Sequence, residues 1–307
     1  MKEGEYVGWH KYTNFGDDIL YQIITRYGFV DNPSSDNIIY GGGTIFPLND
    51  KLNATVVNKT PKNVACIGTG ISSKEFYNAD YEKDMETTRE VIRDGYVGIR
   101  STAERDRLGM GEVIGDPFFS IQTPETKITK DLVILNVGQS HGNCWGGLRH
   151  EQACFYSLLN FVKKQIIEKE GKEVIVVYLW KADETTAITA SKYLQCGYVN
   201  HIPTLNEAIR LFGAAEKIIT YKLHAMITAL LVNRPVLPIE YHQKIRDVAD
   251  DFEIDTLKVN EVTSDRLNYM WSNLDNWDYE KVKAQKEKFA LATFNFINTI
   301  KDGEKDE

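Results

Sequence analysis

The chain alternates short apolar runs with longer amphipathic stretches, and it does so twice. Apolar runs with little polar alternation are typical of strands buried on both faces, as in parallel sheets covered by helices. Strands interleaved with helices in this way predict an α/β fold. Because the pattern occurs once in each half, we predict two doubly wound, Rossmann-like domains that face each other across a cleft, where a ligand site is expected.

The predicted elements of the two halves follow a similar order. In the first half they are strands at residues 5–9, 37–40, 63–68 and 95–100, and helices at 17–27, 80–94 and 101–109, the last opened by a capping box at Ser101 and closed by Gly109. In the second half the predicted strands are 132–137, 174–180, 217–220 and 235–239. The predicted helices are 152–169, 184–196, one that begins at the capping box of Thr204, one that follows the strand at 217–220 and extends through Val232, and 277–300. A charged tail follows at 302–307.

Residues 122–130 are polar, include a proline and have no hydrophobic period, as expected of a linker between domains. A chain of 307 residues usually divides into two domains rather than forming one core. We therefore place an N-terminal domain at 1–121, a C-terminal domain at 131–275, and a final helix with its tail at 276–307.

Charge and hydropathy exclude several classes of partner. The formal net charge is −8 and the basic residues form no block, so nucleic acid is not an expected partner. The start lacks the apolar segment of a signal peptide, and no apolar run approaches the roughly 20 residues that span a bilayer. We therefore expect a cytoplasmic protein, and we leave peripheral membrane association and homo-oligomer formation open.

The cysteines and histidines do not predict a metal centre. The cysteines are widely spaced and form no CxxC pair, and His141 and His150 complete no recognisable ligand set. We expect buried, apolar cysteines, no metal site and no resident cofactor.

Residues 220–226 join the strand at 217–220 to an apolar helix, and they place Lys222 and His224 at that junction. In α/β proteins, ligands bind at the carboxyl ends of the strands. The first helical turn has unpaired backbone N–H groups and a partial positive charge, so together with Lys222 it suits a phosphate or a carboxylate. We expect His224 to face the bound anion. Tyr241 and Lys244, in the loop after the next strand, point to the same sheet edge.

Residues 14–18 place an amide and two carboxylates after the first strand, at Asn14, Asp17 and Asp18, around the flexible Gly16. Two interpretations are open. Asn14 or Asp17 can cap the helix while Asp18 suits its dipole. Alternatively, the loop binds hydroxyl groups of a sugar acceptor, because carboxylates and amides are natural hydrogen-bond partners of hydroxyls.

Gly42 and Gly43 belong to a triple glycine directly after the strand at 37–40. Glycine lets the backbone approach a ligand closely. The segment has neither the spacing of a dinucleotide site nor the lysine of a phosphate-binding loop. It is therefore either the glycine-rich floor of a cleft or a plain tight turn.

Arg100 ends a strand and precedes a capped helix. It can pair with Glu104 or Asp106 on the surface, where such pairs contribute little. It can also direct its planar fork onto a phosphate or a carboxylate. Both interpretations stay open on this residue alone.

His141, Asn143 and Trp145 lie in a glycine-rich loop after the first strand of the second half. Such a loop can stack on a sugar ring or close over a ligand. It can equally be an ordinary long connection.

Taken in order, these motifs resemble those of the polysaccharide pyruvyl transferase family. The resemblance extends from Asn14 to about Val248. The matching segments are Asn14-Phe15-Gly16-Asp17, Gly41-Gly42-Gly43, Gly98-Ile99-Arg100-Ser101, Gly115-Asp116-Pro117, Lys222-Leu223-His224-Ala225 and Tyr241-His242-Gln243-Lys244.

The resemblance implies a fold similar to that of the B-type glycosyltransferases. It also implies transfer of the pyruvyl group of phosphoenolpyruvate onto a sugar or lipid-linked glycan, as a ketal, with no metal requirement. Donor contacts are implied at Arg100, Lys222, Leu223, Tyr241 and Lys244, with the donor in the C-terminal domain. Lys222 departs from the family's arginine: it keeps the charge and loses the bidentate fork.

On this hypothesis, His224 is the general acid or base, and Asp17 or Asp18 orients or deprotonates an acceptor hydroxyl. The acceptor, in the N-terminal domain, is expected to contact Asn14, Gly16, Gly42, Gly43, His141, Asn143 and Trp145. Two alternatives remain. One is a nucleotide-sugar glycosyltransferase of the same architecture, and the other is a non-catalytic sugar-binding relative that lost its donor site, with which Lys222 is consistent.

Overall fold

The computed structural model describes residues 1–8, 10, 13–48, 62–77 and 80–303. The chain divides into two compact units. The first unit contains residues 1–12, 16–121 and 285–307, and the second contains 13–15 and 122–284. Residue 9 of the first predicted strand and residues 304–307 of the predicted tail lie outside the described residues.

The first unit is built on a parallel sheet. Its strands are β1 (Glu3–Val7), β2 (Val30–Asp31), β3 (Asn37–Tyr40), β4 (Gly43–Phe46), β5 (Asn63–Ile71), β6 (Tyr96–Ile99) and β7 (Glu112–Val113). Its described helices are α1 (Phe15–Arg26), α2 (Tyr81–Ile92) and α3 (Thr102–Leu108). The strand order is β2-β1-β3-β5-β6-β7, and β4 pairs with β5 beside this path. The Ser101 side chain caps α3 by accepting from the N–H of Glu104, and Gly109 ends the helix with φ 79°, at the two residues predicted to open and close it.

The second unit is built on another parallel sheet. Its strands are β8 (Leu132–Asn136), β9 (Glu173–Val177), β10 (Gly197–Tyr198), β11 (Lys217–Thr220), β12 (Val236–Glu240) and β13 (Leu257–Lys258). Its helices are α4 (Gly147–Phe161), α5 (Glu184–Leu194), α6 (Leu205–Ala214), α7 (Leu223–Leu231), α8 (Gln243–Asp251) and α9 (Ser264–Asn273). The strand order is β10-β9-β8-β11-β12-β13, and α4 continues as a π-helix at Val162–Lys169.

Two parallel sheets with helices confirm the predicted α/β class. The central strands of the second sheet are buried along their length: Ile134, Val176, Ile219 and Leu237 are fully inaccessible to solvent. Burial on both faces explains why these segments are apolar without alternation. No helix within the described residues is long and apolar enough to cross a membrane.

The last helix, α10 (Tyr279–Asp302), lies within the segment 276–307 that the sequence assigns to a final helix with its tail. Its residues from 285 onward belong to the first unit. Phe296, Ile297 and Ile300 enter the same hydrophobic cluster as Met1 and Ile39. The reason is packing: the apolar stripe of this helix completes the core of the first sheet.

Candidate active site

The loops that follow β8, β9, β11 and β12 leave the same edge of the second sheet, because these strands are parallel and adjacent in the order β9-β8-β11-β12. Three of these loops carry residues that the sequence analysis singled out, namely His141, Asn143, Trp145, Lys222 and Tyr241. The carboxyl edge of a parallel sheet is where ligands bind in this fold class. This edge of the second unit is therefore the candidate donor site.

Lys222 occupies the N-cap position of α7, and its side chain is 14% exposed. Its Nζ donates to the Gln139 carbonyl at 2.7 Å and lies 3.2 Å from Oδ2 of Asp183. The rings of Trp180 and Tyr241 lie 5.1 and 5.6 Å from the same Nζ, within cation–π range. The ammonium is thus held in one place by an acid, a carbonyl and aromatic faces.

Asn136, at the end of β8, fixes the backbone on which Lys222 is carried. It is fully buried, and its amide nitrogen donates to the Val177 carbonyl at 3.1 Å. Its Oδ1 accepts from the N–H groups of Tyr221 and Lys222, at 3.3 and 3.0 Å. A buried amide that makes all these bonds rigidifies the turn into α7.

His224 is the second residue of α7 and is half-buried. The N–H groups of Ala225 and Met226 donate to the Lys222 carbonyl, so the helix starts directly beneath the lysine. The Leu223 side chain is buried, so this residue can contact a ligand at the helix end only through its backbone. The arrangement places an imidazole in the first turn of a helix, at its partially positive end.

Tyr241 lies on the loop after β12, and Lys244 is the second residue of α8, which follows that loop. The Tyr241 ring stacks on Tyr221, with centroids 5.0 Å apart and planes 11° from parallel. The Nζ of Lys244 lies 5.2 Å from the Tyr241 ring centroid. The predicted residues Lys222, Tyr241 and Lys244 are therefore linked through ring contacts, and they bring two cations to Tyr241.

The loop at 138–146 is tied down by Glu151, a buried residue of α4. This carboxylate accepts from the N–H and hydroxyl of Ser140, from the Gly142 N–H at 2.9 Å, and from the Tyr221 hydroxyl at 2.7 Å. Burial alone would raise the pKa of Glu151, but these hydrogen bonds lower it below its usual value. Glu151 thus stays ionised and joins the loop to the lysine-bearing segment.

The predicted acceptor residues of this loop have different environments. His141 is exposed, with φ 53°, and its ring lies edge-on to Trp180 at 6.4 Å. Asn143 is exposed. The indole N–H of Trp145 donates to the buried Glu240 at 2.9 Å, and Lys258 lies 4.5 Å from its ring. The Trp145 ring is therefore oriented by its own partners, while its proposed contact with a sugar stays a prediction.

Asp183 is fully buried next to Lys222. Its Oδ1 accepts from the Gln139 N–H at 2.8 Å. Burial raises the pKa of Asp183 above its usual value, although the Lys222 charge and the Gln139 N–H oppose the shift. The Asp183 carboxylate thus takes up a proton at a higher pH than an exposed aspartate does.

The predicted residues near the N-terminus divide between the units. Asn14 forms a backbone bridge with Trp180 and belongs to the second unit, whereas Gly16, Asp17 and Asp18 belong to the first. Asp17 is buried and Asp18 is half-buried, both in the first turn of α1. Their acidic placement suits the helix dipole, and their acceptor role stays a prediction.

The triple glycine has a structural explanation within the first unit. A Cβ at Gly42 would overlap the side chain of Leu20, and Gly43 has φ 96° where β4 begins. The segment thus leads into a strand that pairs with β5, and its last glycine, Gly43, is the first residue of that strand. Binding of an acceptor by Gly42 and Gly43 stays a prediction.

Arg100 pairs with Glu104, but not on the surface. The side chains are 1% and 0% exposed, and two of the guanidinium nitrogens contact the carboxylate, at 2.5 and 3.2 Å. Gly70 makes room, since a Cβ there would overlap the guanidinium. The interpretation of a surface pair is wrong because the pair is enclosed by the first unit. A donor contact by Arg100 stays a prediction.

Asp116 is buried near Arg100, and desolvation raises its pKa from 3.8 to about 6, although the Arg100 charge opposes the shift. Folding therefore binds a proton between these two pH values, and the free energy of unfolding falls as pH rises through that window. The Asp116→Asn variant can still accept from the Phe118 N–H. We expect its free energy of unfolding to lack this fall, which amounts to about 3 kcal/mol between pH 3.5 and 7 in the wild type.

Urea unfolding of both proteins at several pH values measures this difference. A parallel pH dependence in the two proteins would contradict the assignment to Asp116.

Three residues at this sheet edge were missed by the sequence analysis as functional candidates, namely Asn136, Trp180 and Asp183. Each follows or ends a predicted strand of the second half, so strand position was the available signal. Within the described residues, no group of three histidine, cysteine or acidic side chains is arranged to hold a metal ion.

Solved structures with a similar fold include Staphylococcus aureus TarM, with TM-score 0.51 and 11% identity over 87% of this chain. They also include UDP-GlcNAc 2-epimerases from Neisseria meningitidis (TM-score 0.52, 10% identity, 86% of this chain and 75% of that chain) and Methanocaldococcus jannaschii (0.53, 12%, 85% and 73%). This chain spans about half of the TarM chain, 55%. These likenesses concern the fold, and they support the predicted pair of Rossmann-like domains.

No curated protein matches the chain in sequence. The family model described as polysaccharide pyruvyl transferase matches residues 4–243, which include the first-unit motifs and the second-unit loops as far as the start of α8. The chain therefore belongs to the polysaccharide pyruvyl transferase family.

Proposed function

We propose that this protein transfers the pyruvyl group of phosphoenolpyruvate onto two hydroxyls of a sugar in a polysaccharide or a glycan precursor, forming a ketal and releasing phosphate. The observation that carries the proposal is the junction of β11 and α7. There, Lys222 is the N-cap residue of α7 and His224 lies in the first turn of the same helix, whose N-terminal end carries a partial positive charge. Phosphoenolpyruvate carries a phosphate and a carboxylate, and both anions are stabilised by a cationic side chain and by the N–H groups at a helix N-terminus.

The proposed reaction balances without a redox partner. The methylene carbon of the enol gains a proton and becomes a methyl group, and one sugar oxygen bonds to the central carbon. The bond from that carbon to the phosphate oxygen breaks, and the second sugar oxygen takes its place. Of the two hydroxyl protons, one balances the methyl group and the other leaves with phosphate. The chemistry itself thus requires no cofactor, and we propose none.

The residues of the second unit can share these tasks. Lys222 and Lys244 offset the donor's negative charge, and His224 delivers or removes a proton. Tyr241 positions Lys244 through its ring. Arg100 is the less direct donor ligand, because Glu104 already occupies its fork. For the acceptor, we propose contacts with Asp17 or Asp18 and with the predicted glycine and loop residues.

Incubation of the purified protein with phosphoenolpyruvate and a panel of sugar acceptors tests the function. We expect phosphate release only when a suitable sugar is present, together with the added pyruvyl mass on that sugar by mass spectrometry.

Two results would contradict the proposal. One is the absence of acceptor-dependent phosphate release across the panel. The other is thermal protection by a nucleotide sugar without protection by phosphoenolpyruvate, which would favour glycosyl transfer.

A further inference from the structure

Lys222 reaches its position through a space that the chain keeps open for it. A Cβ at Gly138 would overlap the Cε of Lys222, so the lysine stem passes directly over this glycine. Gly138 is buried and does not have a positive φ. The glycine is therefore explained by the space that its missing side chain leaves, and not by a left-handed backbone conformation. The path leads the ammonium to the Gln139 carbonyl and to Asp183.

The ammonium at this position is already compensated by a carboxylate. A lysine has three N–H donors, and here one is used by Gln139 and a second faces Asp183. A donor anion that approaches Lys222 therefore approaches Asp183 as well. Two negative charges near one ammonium are unfavourable in a poorly solvated site.

The repulsion is relieved most simply by a proton on Asp183. Its side chain is fully buried, so it cannot be stabilised by water as a carboxylate, and its pKa is already raised in the absence of a ligand. An added anion shares the Lys222 charge and raises the pKa of Asp183 further. Protonated, Asp183 can still accept from the Gln139 N–H through one oxygen.

Few other charges face Asp183 within the described residues. Lys222 comes from the start of α7, and His141 comes from the loop after β8, where it weakly lowers the pKa of Asp183. The neighbouring acid Glu184 is directed elsewhere, since it pairs with Lys181 at 2.7 Å and accepts from the Tyr178 hydroxyl. Asp183 is thus the acid that pairs with Lys222.

We propose that Asp183 is a positioning residue for Lys222, and that an anion binding at Lys222 is accompanied by proton uptake at Asp183. The identity of that anion as phosphoenolpyruvate rests on the proposed function. The consequence is a donor affinity that falls as pH rises, by up to about tenfold per pH unit where one full proton is taken up.

Calorimetry of the full chain tests this, with phosphoenolpyruvate and with inorganic phosphate as separate ligands. Titrations in buffers of different ionisation enthalpy give the number of protons taken up on binding. We expect Asp183→Asn to take up fewer protons than the wild type, by up to one, and to bind with a flatter pH profile. Asp183→Glu should restore part of the uptake, because it restores a carboxylic acid.

Glu184→Gln is the matched control, since it neutralises the adjacent acid, which pairs with a different lysine. We expect it to retain wild-type uptake. If Asp183→Asn fails to fold, Gly138→Ala in the same titrations displaces Lys222 from Asp183 and should weaken binding at least tenfold while reducing uptake.

The outcomes separate this inference from the proposed function. Equal uptake in the wild type and Asp183→Asn overturns the inference, as does unchanged binding and uptake in Gly138→Ala. Uptake that depends on Asp183 with phosphate, without any binding of phosphoenolpyruvate, supports the inference and overturns the proposed donor. Binding of neither ligand overturns both.

Discussion

Replacing His224 with alanine is expected to lower kcat by roughly 100- to 10,000-fold, the range that one positioned general acid or base contributes. Donor affinity should change far less, because the lysines and the helix end that offset the donor charge remain. The helix should also remain, since the backbone carbonyl of His224, which the substitution keeps, accepts from the Thr228 hydroxyl at 2.6 Å. Phosphate release at saturating acceptor gives kcat, and calorimetry gives donor affinity.

His201→Ala is the control for this substitution. His201 is exposed, belongs to the same unit, and lies 3.5 Å from Glu207 near the start of α6. It follows the edge strand β10, which β9 and β8 separate from β11. We expect it to retain wild-type kcat. Phosphate release by His224→Ala at the wild-type rate would exclude His224 as the proton carrier. Loss of donor binding together with rate would make it a donor ligand instead.

Much of the fold could be predicted because its signals are local. The capping box at Thr204 lies within four residues, and both of its reciprocal hydrogen bonds are present at the start of α6. The strands Asn37–Tyr40 and Lys217–Thr220 have the predicted bounds, since each is a short apolar run with clear ends. By contrast, β4 was missed because its pairing with β5, as at Gly43 with Thr69, is decided by tertiary contacts rather than by local sequence.

The candidate site was predicted only as far as motifs at strand ends allow. The strand–loop rule identified Lys222 and Tyr241, because their loops follow adjacent parallel strands. It did not identify Asp183 or Asn136, since Asn136 and Lys222 are 86 residues apart and only the folded sheet joins them. An aspartate or asparagine after a strand is common, so its type alone carries little information.

Arg100 shows a different limit of sequence reasoning. Its partner Glu104 is four residues away and was anticipated, but its burial was not. Burial depends on Gly70, which leaves room for the guanidinium from 30 positions earlier in the chain, and on the surrounding core. Whether such a pair is nearly neutral or strongly stabilising depends on that burial, which the sequence does not reveal.

Replacing Glu104 with alanine is therefore expected to destabilise the first unit by about 3–5 kcal/mol, the cost of leaving a buried charge uncompensated. Glu104 also accepts from the Ile71 N–H at 3.1 Å and from the Ser101 hydroxyl at 2.9 Å, and both groups lose their acceptor. Hydrogen exchange of the β5 and β6 amides reports the stability of this unit separately from the other.

Glu82→Ala is the matched control, because Glu82 forms a 3.0 Å pair with Lys74 in which both side chains are about 70% exposed, and its loss should cost no more than about 1 kcal/mol. The double variant Arg100→Met/Glu104→Leu should recover much of the stability, since no charge is left alone. If Glu104→Ala costs no more than Glu82→Ala, Glu104 does not hold the guanidinium, and Arg100 becomes the stronger donor ligand. If the double variant is stable and binds phosphoenolpyruvate as the wild type does, Arg100 serves the fold rather than the donor.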